Sequence, residues 1–309
     1  EQFEQVMNAG DIRWSLPKLV YHLEDLRVGM SYPNYYISRL ASKFVKVCLQ
    51  GTGGDELFGG YPWRYYRVLD VLNQEDFFKQ YYSFWQRLVP DTEKKDLFTE
   101  NVISKIDINA PRKVFERVFT FNDKLKYKTP QNHINNSLYF EIKTFLPGLF
   151  LVGDKLSMAH GLEERYPFMD NDLVNFAMKI PVEHKLGNLK KEIDQIDENA
   201  EAKKKQYREF YDGKNVFRKA IRDFIPEKII NRKKQGFSAP DESWYRGENA
   251  NYIKEILLDS ETVSSIYIKR GYIEKVVNEH LNGQKNHRLL IWSLLNFEWW
   301  CRIFLNKNN

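Results

Sequence analysis

The chain has 309 residues, of which 42% are hydrophobic and 15% aromatic, enough for a substantial core in one large domain or two. Its net charge of +5 is a small excess of basic over acidic residues, and the sequence has no basic stripe. Nucleic acid is therefore not the expected partner. No apolar stretch is long enough to span a bilayer, and the two distant cysteines, Cys48 and Cys301, are expected to be buried free thiols, as in a reducing cytoplasm.

The first predicted elements are helices over residues 1–43, where apolar residues recur at three- and four-residue spacing. Residues 44–49, FVKVCL, predict a buried parallel strand, because the run is β-branched, largely apolar and followed closely by glycine. Residues 55–145 predict a mostly helical region with breaks at Pro90, Pro111 and Pro130. A second dense apolar segment then leads to residue 181.

The composition changes abruptly over residues 187–213, where about half of the side chains are charged. Such a run predicts a solvated, mobile insertion. Helical spacing returns at residues 214–230, KNVFRKAIRDFIPEKII, and a loop rich in Gly, Ser and Pro follows. Near the C-terminus, IWSLLNFEWWCRIFL predicts an amphipathic helix that contributes to a core.

Residues 51–56, GTGGDE, connect the predicted strand to a helical pattern, which is the order of a nucleotide-binding loop. Glycines let the backbone approach a ligand, and free N–H groups at a helix start favour an anion. Asp55 and Glu56 would repel a bare phosphate, so this interpretation requires a bridging hard cation such as Mg²⁺, with Asp55 as its ligand. The alternative is structural: Asp55 and Glu56 cap a helix and match its dipole, and the glycines only make turns.

Four blocks together resemble the synthetase domain of glutamine-dependent asparagine synthetases. GTGGDELFGGY at residues 51–61 matches that family's loop, although Gln50 stands where the family has Ser. The segment HLEDL…YPNYYISRLA resembles the approach to the strand, and DKLSMAHGLEERYPFMD and GKNVFRKA…KQGF resemble two later blocks. The resemblance implies an α/β fold: a partial doubly wound parallel sheet of the adenine-nucleotide α-hydrolase type, reduced to its last strand or two, with a predominantly helical C-terminal half.

The resemblance also implies a chemistry. Such enzymes bind ATP with Mg²⁺, adenylate the side-chain carboxylate of aspartate and release pyrophosphate, and ammonia then displaces AMP to give asparagine. The ammonia comes from glutamine through an N-terminal glutaminase domain. Neither the nucleophilic cysteine of that domain nor the pyrophosphatase loop Ser-Gly-Gly-x-Asp-Ser occurs here. We therefore expect residues 1–309 to be the C-terminal part of a longer cytoplasmic ligase, inactive alone, with a homo-oligomer left open.

Site residues follow from the resemblance position by position. Asp55 would bind the Mg²⁺–pyrophosphate group, and Lys214 would reach the phosphates as the adenylate forms; otherwise Lys214 is a solvated lysine beside a charged loop. The block from Asp154 to Tyr166 would border the ammonia path, or Glu163 and Arg165 would form a buried structural pair. The ATP pocket would be lined by Gln50, Gly51, Thr52, Gly53 and Gly54, and the ammonia path by Met158, Glu163, Glu164, Arg165 and Tyr166.

Thr52 is the main departure from the family, which usually has Glu or Asp at that position. We assign Thr52 to the catalytic region by position, but threonine is not a general base near neutral pH. Either another group serves, or the substrate differs. Three functions therefore stay open: amide formation on aspartate, the same chemistry on another carboxylic acid, and a non-catalytic homologue or scaffold.

Overall fold

The computed structural model describes residues 1–26, 31–187, 189, 213–232 and 241–305. Most of the predicted charged insertion over residues 187–213, and residues 233–240 of the loop that follows Asn231, lie outside the described residues. The described residues are mainly α-helical, as the sequence predicted. None of their helices has both the length and the apolar character required to cross a membrane.

Helices fill the first half of the chain on either side of one short strand. Apolar residues of the first helix, such as Leu16 and Leu19, are fully buried, which agrees with the spacing that predicted the helix. Pro111 and Pro130 stand in the first turn of helices, where proline costs no hydrogen bond. The helices are α1 Asp11–Leu23, α2 Ser31–Ala41, α3 Gly54–Phe58, α4 Pro62–Tyr65, α5 Gln74–Trp85, α6 Lys94–Leu97, α7 Glu100–Ile103, α8 Ala110–Thr120, α9 Pro130–Phe140 and α10 Leu146–Met158.

The second half is helical after one further strand. A π-helical segment, Glu141–Phe145, joins α9 to α10, and a second one, Cys301–Leu305, ends the described chain. The remaining helices are α11 Asn171–Lys179, α12 Val182–Lys185, α13 Asn215–Ala220, α14 Glu227–Ile230, α15 Asp241–Arg246, α16 Ala250–Leu257, α17 Arg270–Leu281 and α18 Arg288–Trp300.

The sheet of the described residues has two strands, β1 Val47–Leu49 and β2 Glu163–Arg165, which pair in parallel with Cys48 opposite Glu164. A parallel sheet of one or two strands was predicted, but its doubly wound arrangement stays a prediction. The prediction of a buried strand over residues 44–49 is wrong in extent and in burial. Val47 and Leu49 are 51% and 74% exposed, because the face that carries them has no covering layer among the described residues.

The largest core lies between α1, α2 and α10 and the C-terminal helices α15–α18, and α18 contributes Leu290, Ile291 and Leu295 to it. The helix predicted there and its contribution to the core are confirmed, but none of the residues of α18 is exposed, so the predicted polar face is absent. Cys301 is a buried free thiol as predicted, whereas Cys48 is free but partly exposed. A smaller apolar cluster joins α3 to α11 and α13 through Leu57, Phe58 and Phe217. This cluster lies beneath the loop that follows β1.

Candidate active site

Asp55 and Lys214 meet across two distant segments of the chain. Lys214 Nζ lies 2.9 Å from Asp55 Oδ1, and the two side chains are 26% and 22% exposed. Asp55 stands in the first turn of α3, just beyond the carboxyl end of β1, and Lys214 immediately precedes α13. The two residues that the resemblance selected for phosphate chemistry therefore share one place in the fold. Their roles stay predictions.

A backbone turn at residues 58–61 supports both side chains. Gly59, with a φ of 71°, ends α3, and a Cβ atom on Gly60 would stand 1.8 Å from Asp55 Oδ1. On the other side, the Lys214 N–H donates to the Phe58 carbonyl at 3.0 Å, and a Cβ atom on Gly213 would meet the Gly59 carbonyl oxygen at 2.4 Å. Glycine is required wherever backbone and carboxylate approach this closely. Neither Gly60 nor Gly213 was selected from the sequence as a site residue.

The structural alternative for the acidic pair is wrong about capping, although both carboxyl groups do lie in the first turn of α3, where they match the helix dipole. The N-cap residue of α3 is Gly53, and no side chain caps the helix. Asp55 instead faces Lys214, while Glu56 is 1% exposed and its Oε1 accepts a hydrogen bond from the Tyr61 hydroxyl at 3.1 Å. Burial is the main cause that raises the pKa of Glu56, and the neighbouring Asp55 raises it further. The two adjacent carboxylates thus have different environments, one at the surface and one in the interior.

The glycines at the start of α3 have a packing role. Gly53 has a φ of 100°, and a Cβ atom there would stand 2.3 Å from Met169 Cε. A Cβ atom on Gly54 would contact the Phe168 ring at 3.2 Å. Around Gly51, by contrast, a Cβ atom would have no neighbour within 4 Å. Of these glycines, Gly51 is therefore the one that adjoins open space.

Gln50, Glu164 and Tyr166 form a hydrogen-bonded group at the carboxyl ends of the two strands. Gln50 Nε2 donates to Glu164 Oε1 at 3.0 Å, and the Tyr166 hydroxyl donates to Glu164 Oε2 at 2.5 Å. A Cβ atom on Gly153 of α10 would stand 2.6 Å from both Glu164 Oε2 and the Tyr166 hydroxyl. The group is built closely against α10, and Glu164 is buried in it.

The three other residues predicted for the ammonia path, Met158, Glu163 and Arg165, lie outside this group. Glu163 and Arg165 pair with each other, but their side chains are 45% and 61% exposed, so a buried structural pair is wrong. The alternation of a strand explains the difference, because neighbouring residues point to opposite faces of the sheet. Met158, at the end of α10, is 52% exposed. The structure thus separates Glu164 and Tyr166 from Glu163, Arg165 and Met158.

The described residues offer few ligands for Mg²⁺. Within the described residues, no group of three or more His, Cys, Asp or Glu side chains is close enough to hold a metal ion. Glu56 is unsuitable, because it is buried and bonded to Tyr61. Asp55 remains, and a single carboxylate fits Mg²⁺ when phosphate oxygens and water supply the other ligands. The residues therefore fit a cation that arrives with a nucleotide, and they do not form a resident metal site.

A buried cluster behind Asp55 was missed by the sequence analysis. Arg64 Nη1 lies 3.3 Å from Glu141 Oε1, and the Tyr65 hydroxyl donates to Glu141 Oε2 at 2.9 Å. Glu141 has no exposed surface, and burial raises its pKa to about 7 although Arg64 opposes that rise. Helical spacing indicated that Glu141 is in a helix, but no local pattern identifies a partner so distant in the sequence.

Comparisons with known proteins find similarity along almost the whole chain. The family model described as asparagine synthase matches residues 1–302. The chain is 27% identical over 333 aligned positions to the glutamine-hydrolysing asparagine synthetase 1 of Bacillus subtilis, covering 99% of this chain and 48% of that protein. It is 24% identical to a putative glutamine-hydrolysing asparagine synthetase of Mycobacterium bovis, covering 98% of this chain and 46% of that protein. The chain spans about half the length of the curated relatives it matches.

Proposed function

This chain belongs to the asparagine synthase family, and we propose that, within the complete protein, it binds ATP and activates a carboxylic acid for amide formation. The observation that carries the proposal is the 2.9 Å contact between Asp55 and Lys214, which unites two of the family-like segments at the carboxyl end of β1. Ligands of open parallel sheets bind beyond the carboxyl ends of the strands. The placement of this charged pair supports a nucleotide site at that edge.

The charges of the pair suit a triphosphate. A carboxylate is a poor electrophile, so amide formation needs a better leaving group, and AMP provides one after adenylation. The Lys214 ammonium would donate to phosphate oxygens and stabilise the charge that develops there. Asp55 compensates the positive charge of Lys214. Asp55 would hold a Mg²⁺ ion that neutralises phosphate charge when the nucleotide binds.

Aspartate is the acceptor that we propose first, with ammonia released from glutamine by a glutaminase domain of the same protein and with asparagine, AMP and pyrophosphate as products. Another carboxylic acid is the second candidate, and Thr52 favours it. Thr52, which cannot act as a general base, follows Gly51 at the open part of the loop. A non-catalytic scaffold is the third candidate, and it predicts that the complete protein does not adenylate any acid.

The open face of the sheet supports a larger parent protein. Val47 and Leu49 on β1 are exposed, as are Phe44 and Val45 just before the strand. Apolar strand faces of this kind are normally covered by another layer. We propose that the remainder of the complete protein covers this face, and that residues 1–309 alone do not carry out the full reaction.

The test is ATP–pyrophosphate exchange by the complete gene product, measured with a panel of carboxylic acids that includes aspartate. Exchange that depends on one acid identifies the substrate, and ammonium or glutamine should then convert that acid to its amide. Lys214→Ala should reduce exchange by at least about a hundredfold, because a charge contact made in the transition state is lost. Folded complete protein that gives no exchange with any acid would refute the ligase proposal.

Lys269→Ala is the matched control. Lys269 Nζ lies 2.9 Å from Glu100 Oε1, the same separation as in the Asp55–Lys214 pair, but Glu100 begins α7 and Lys269 immediately precedes α17. The control should retain normal exchange. If Lys214→Ala also retains it, the assignment of Lys214 is wrong even if the protein is a ligase.

A further inference from the structure

Arg64 is a buried cation that is surrounded by aromatic rings and a carboxylate. Its guanidinium lies 3.9 Å from the Tyr61 ring centroid, 4.5 Å from that of Phe145 and 5.3 Å from that of Trp85. Arg64 is 5% exposed and pairs with Glu141 at 3.3 Å. Aromatic faces and a carboxylate together compensate for the lost hydration of a buried guanidinium.

Glu141 is held by residues from several elements. Besides Arg64, its oxygens accept hydrogen bonds from the Tyr65 hydroxyl at 2.9 Å and from the Tyr81 hydroxyl at 3.4 Å. Glu141 is also the first residue of the π-helical segment that leads into α10. Such segments are rare in proteins and are frequent at functional sites. The ion pair therefore joins α4 to the π-helical segment that leads into α10, the helix that carries Gly153 against Glu164.

Tyr61 connects this buried pair to the turn at residues 58–61. The Arg64 guanidinium stacks on the Tyr61 ring, and the backbone N–H of Arg64 donates to the backbone carbonyl of Tyr61 at 2.9 Å. The Tyr61 hydroxyl in turn donates to Glu56. Tyr61 follows Gly60, whose backbone lies against the Asp55 carboxylate. A shift of Arg64 would therefore reach the carboxylate that meets Lys214 through Tyr61 and Gly60.

We propose that Arg64 and Glu141 are positioning residues, whose buried ion pair fixes the turn at residues 58–61 and thereby sets the Asp55–Lys214 geometry for nucleotide binding. This proposal rests on the proposed function in one respect, namely that Asp55 and Lys214 receive ATP. It adds two residues that touch neither nucleotide nor substrate. Their effect is on how well the charged pair is oriented before a ligand arrives.

The test compares three variants of the complete gene product. Glu141→Gln removes one charge, Arg64→Lys keeps the charge but loses the planar stacking, and Arg64→Met/Glu141→Gln removes both charges while leaving an acceptor for the tyrosine hydroxyls. A buried pair that is replaced as a whole tends to leave stability nearly unchanged. The double variant should therefore melt near the wild-type temperature, yet bind Mg-ATP about tenfold or more weakly by calorimetry. Arg64→Lys should be intermediate.

Glu298→Gln is the matched control, because Glu298 also has no exposed surface and also pairs with an arginine, Arg302, at 2.6 Å. It lies in α18, and within the part of the chain that the structure describes its hydrogen bonds go to Val263, Ser264 and Arg302 and not to the turn at residues 58–61. It should lower the melting temperature without changing the affinity for Mg-ATP. If the double variant does not fold, the melting temperature and the Mg-ATP affinity of Glu141→Gln are measured instead.

A crystal structure of the double variant separates failure of this proposal from failure of the proposed function. The Asp55–Lys214 contact should lengthen beyond hydrogen-bonding distance. The positioning proposal is overturned if that contact stays near 2.9 Å and Mg-ATP affinity is unchanged. Absence of exchange activity in the wild-type protein would instead count against the ligase, and the distance would still report on positioning.

Discussion

Two buried glutamates in this molecule show how the same residue type can be held in two ways. Glu141 and Glu298 both have no exposed surface, and each lies at or just before a π-helical segment and pairs with an arginine. Around Glu298 the contacts are local or backbone: Arg302 lies one turn along the same helix, and the N–H groups of Val263 and Ser264 donate at 3.1 and 2.8 Å. Glu298 therefore accepts the free N–H groups at the start of the short 3₁₀ helix Val263–Ile266, which is a structural task.

Around Glu141 the contacts are side chains from distant segments. Arg64, Tyr65 and Tyr81 all reach it across at least sixty positions of sequence. Glu141 therefore depends on tertiary packing for its donors, and that packing also supports the turn at residues 58–61. Glu298 accepts hydrogen bonds from backbone N–H groups and therefore has a structural role. Glu141 accepts them from side chains that are distant in the sequence, and this makes it a candidate for a functional role.

The largest expected difference between the two regions is the response to losing the arginine. Arg64→Met leaves Glu141 in the interior without its cation, and we expect a loss of about 3 kcal/mol in the free energy of unfolding. Arg302→Met should cost about 1 kcal/mol or less, because Arg302 is 29% exposed and Glu298 keeps two backbone donors. Urea unfolding of both variants measures the difference. Equal losses would remove the distinction between the two sites.

A smaller but more local effect is expected at the turn itself. Gly60→Ala would place a methyl group 1.8 Å from Asp55 Oδ1, so the carboxylate must move away from Lys214. We expect Mg-ATP affinity to fall by about tenfold or more and stability by about 1–2 kcal/mol. Gly271→Ala, in α17, is the control, because nothing lies within 4 Å of its added methyl group. Unchanged nucleotide binding by Gly60→Ala would show that the turn does not control Asp55.

Much of this architecture could be predicted from the sequence, because its signals are local. Helical spacing identified α1 and α2, and the glycines at 51–54 marked the end of β1 and the start of α3. The apolar letters of residues 44–49, however, suggested burial that the described residues do not provide. The composition of a strand predicts that its face is buried, but it does not identify the layer that covers this face.

The candidate site divides in the same way. Asp55 and Lys214 were selected through motifs, and the structure places them together, although their roles remain predictions. Gly60 could have been selected, since a glycine next to a turn often permits a close approach. Arg64 and Glu141 could not, because a pairing of two charges far apart in sequence depends on tertiary packing and leaves no periodic or spacing signal. Burial of Glu164 and exposure of Glu163 likewise required the strand register.

The pH dependence of stability offers a further contrast. Burial raises the pKa of Glu141 from 4.5 to about 7 in the folded protein. A carboxyl group with a raised pKa contributes stability that is fully present below the unfolded value, and that contribution is lost as the pH rises from about 4.5 to about 7. Glu141→Gln should abolish this part of the pH dependence. The wild-type-minus-variant difference in unfolding free energy, followed from pH 4.5 to 8 with urea, should therefore decline with pH, and a flat difference would contradict the assignment.

The smallest effect on stability is expected at Lys214, where it is separated most clearly from the effect on function. Lys214 and Glu24 are the non-glycine residues of the described chain with positive φ, at 60° and 56°, a conformation that costs about 1 kcal/mol outside glycine. Each also forms an ion pair, Lys214 with Asp55 and Glu24 with Lys155. Glycine at either position relieves the backbone cost but loses an ion pair worth about 1 kcal/mol or less. Lys214→Gly and Glu24→Gly should thus both stay within about 1 kcal/mol of wild type by urea unfolding. Only Lys214→Gly should lose ATP–pyrophosphate exchange in the complete gene product, because the function requires the Lys214 side chain in spite of the strained backbone. Equal exchange by the two variants would show that the backbone strain at Lys214 has no functional cause.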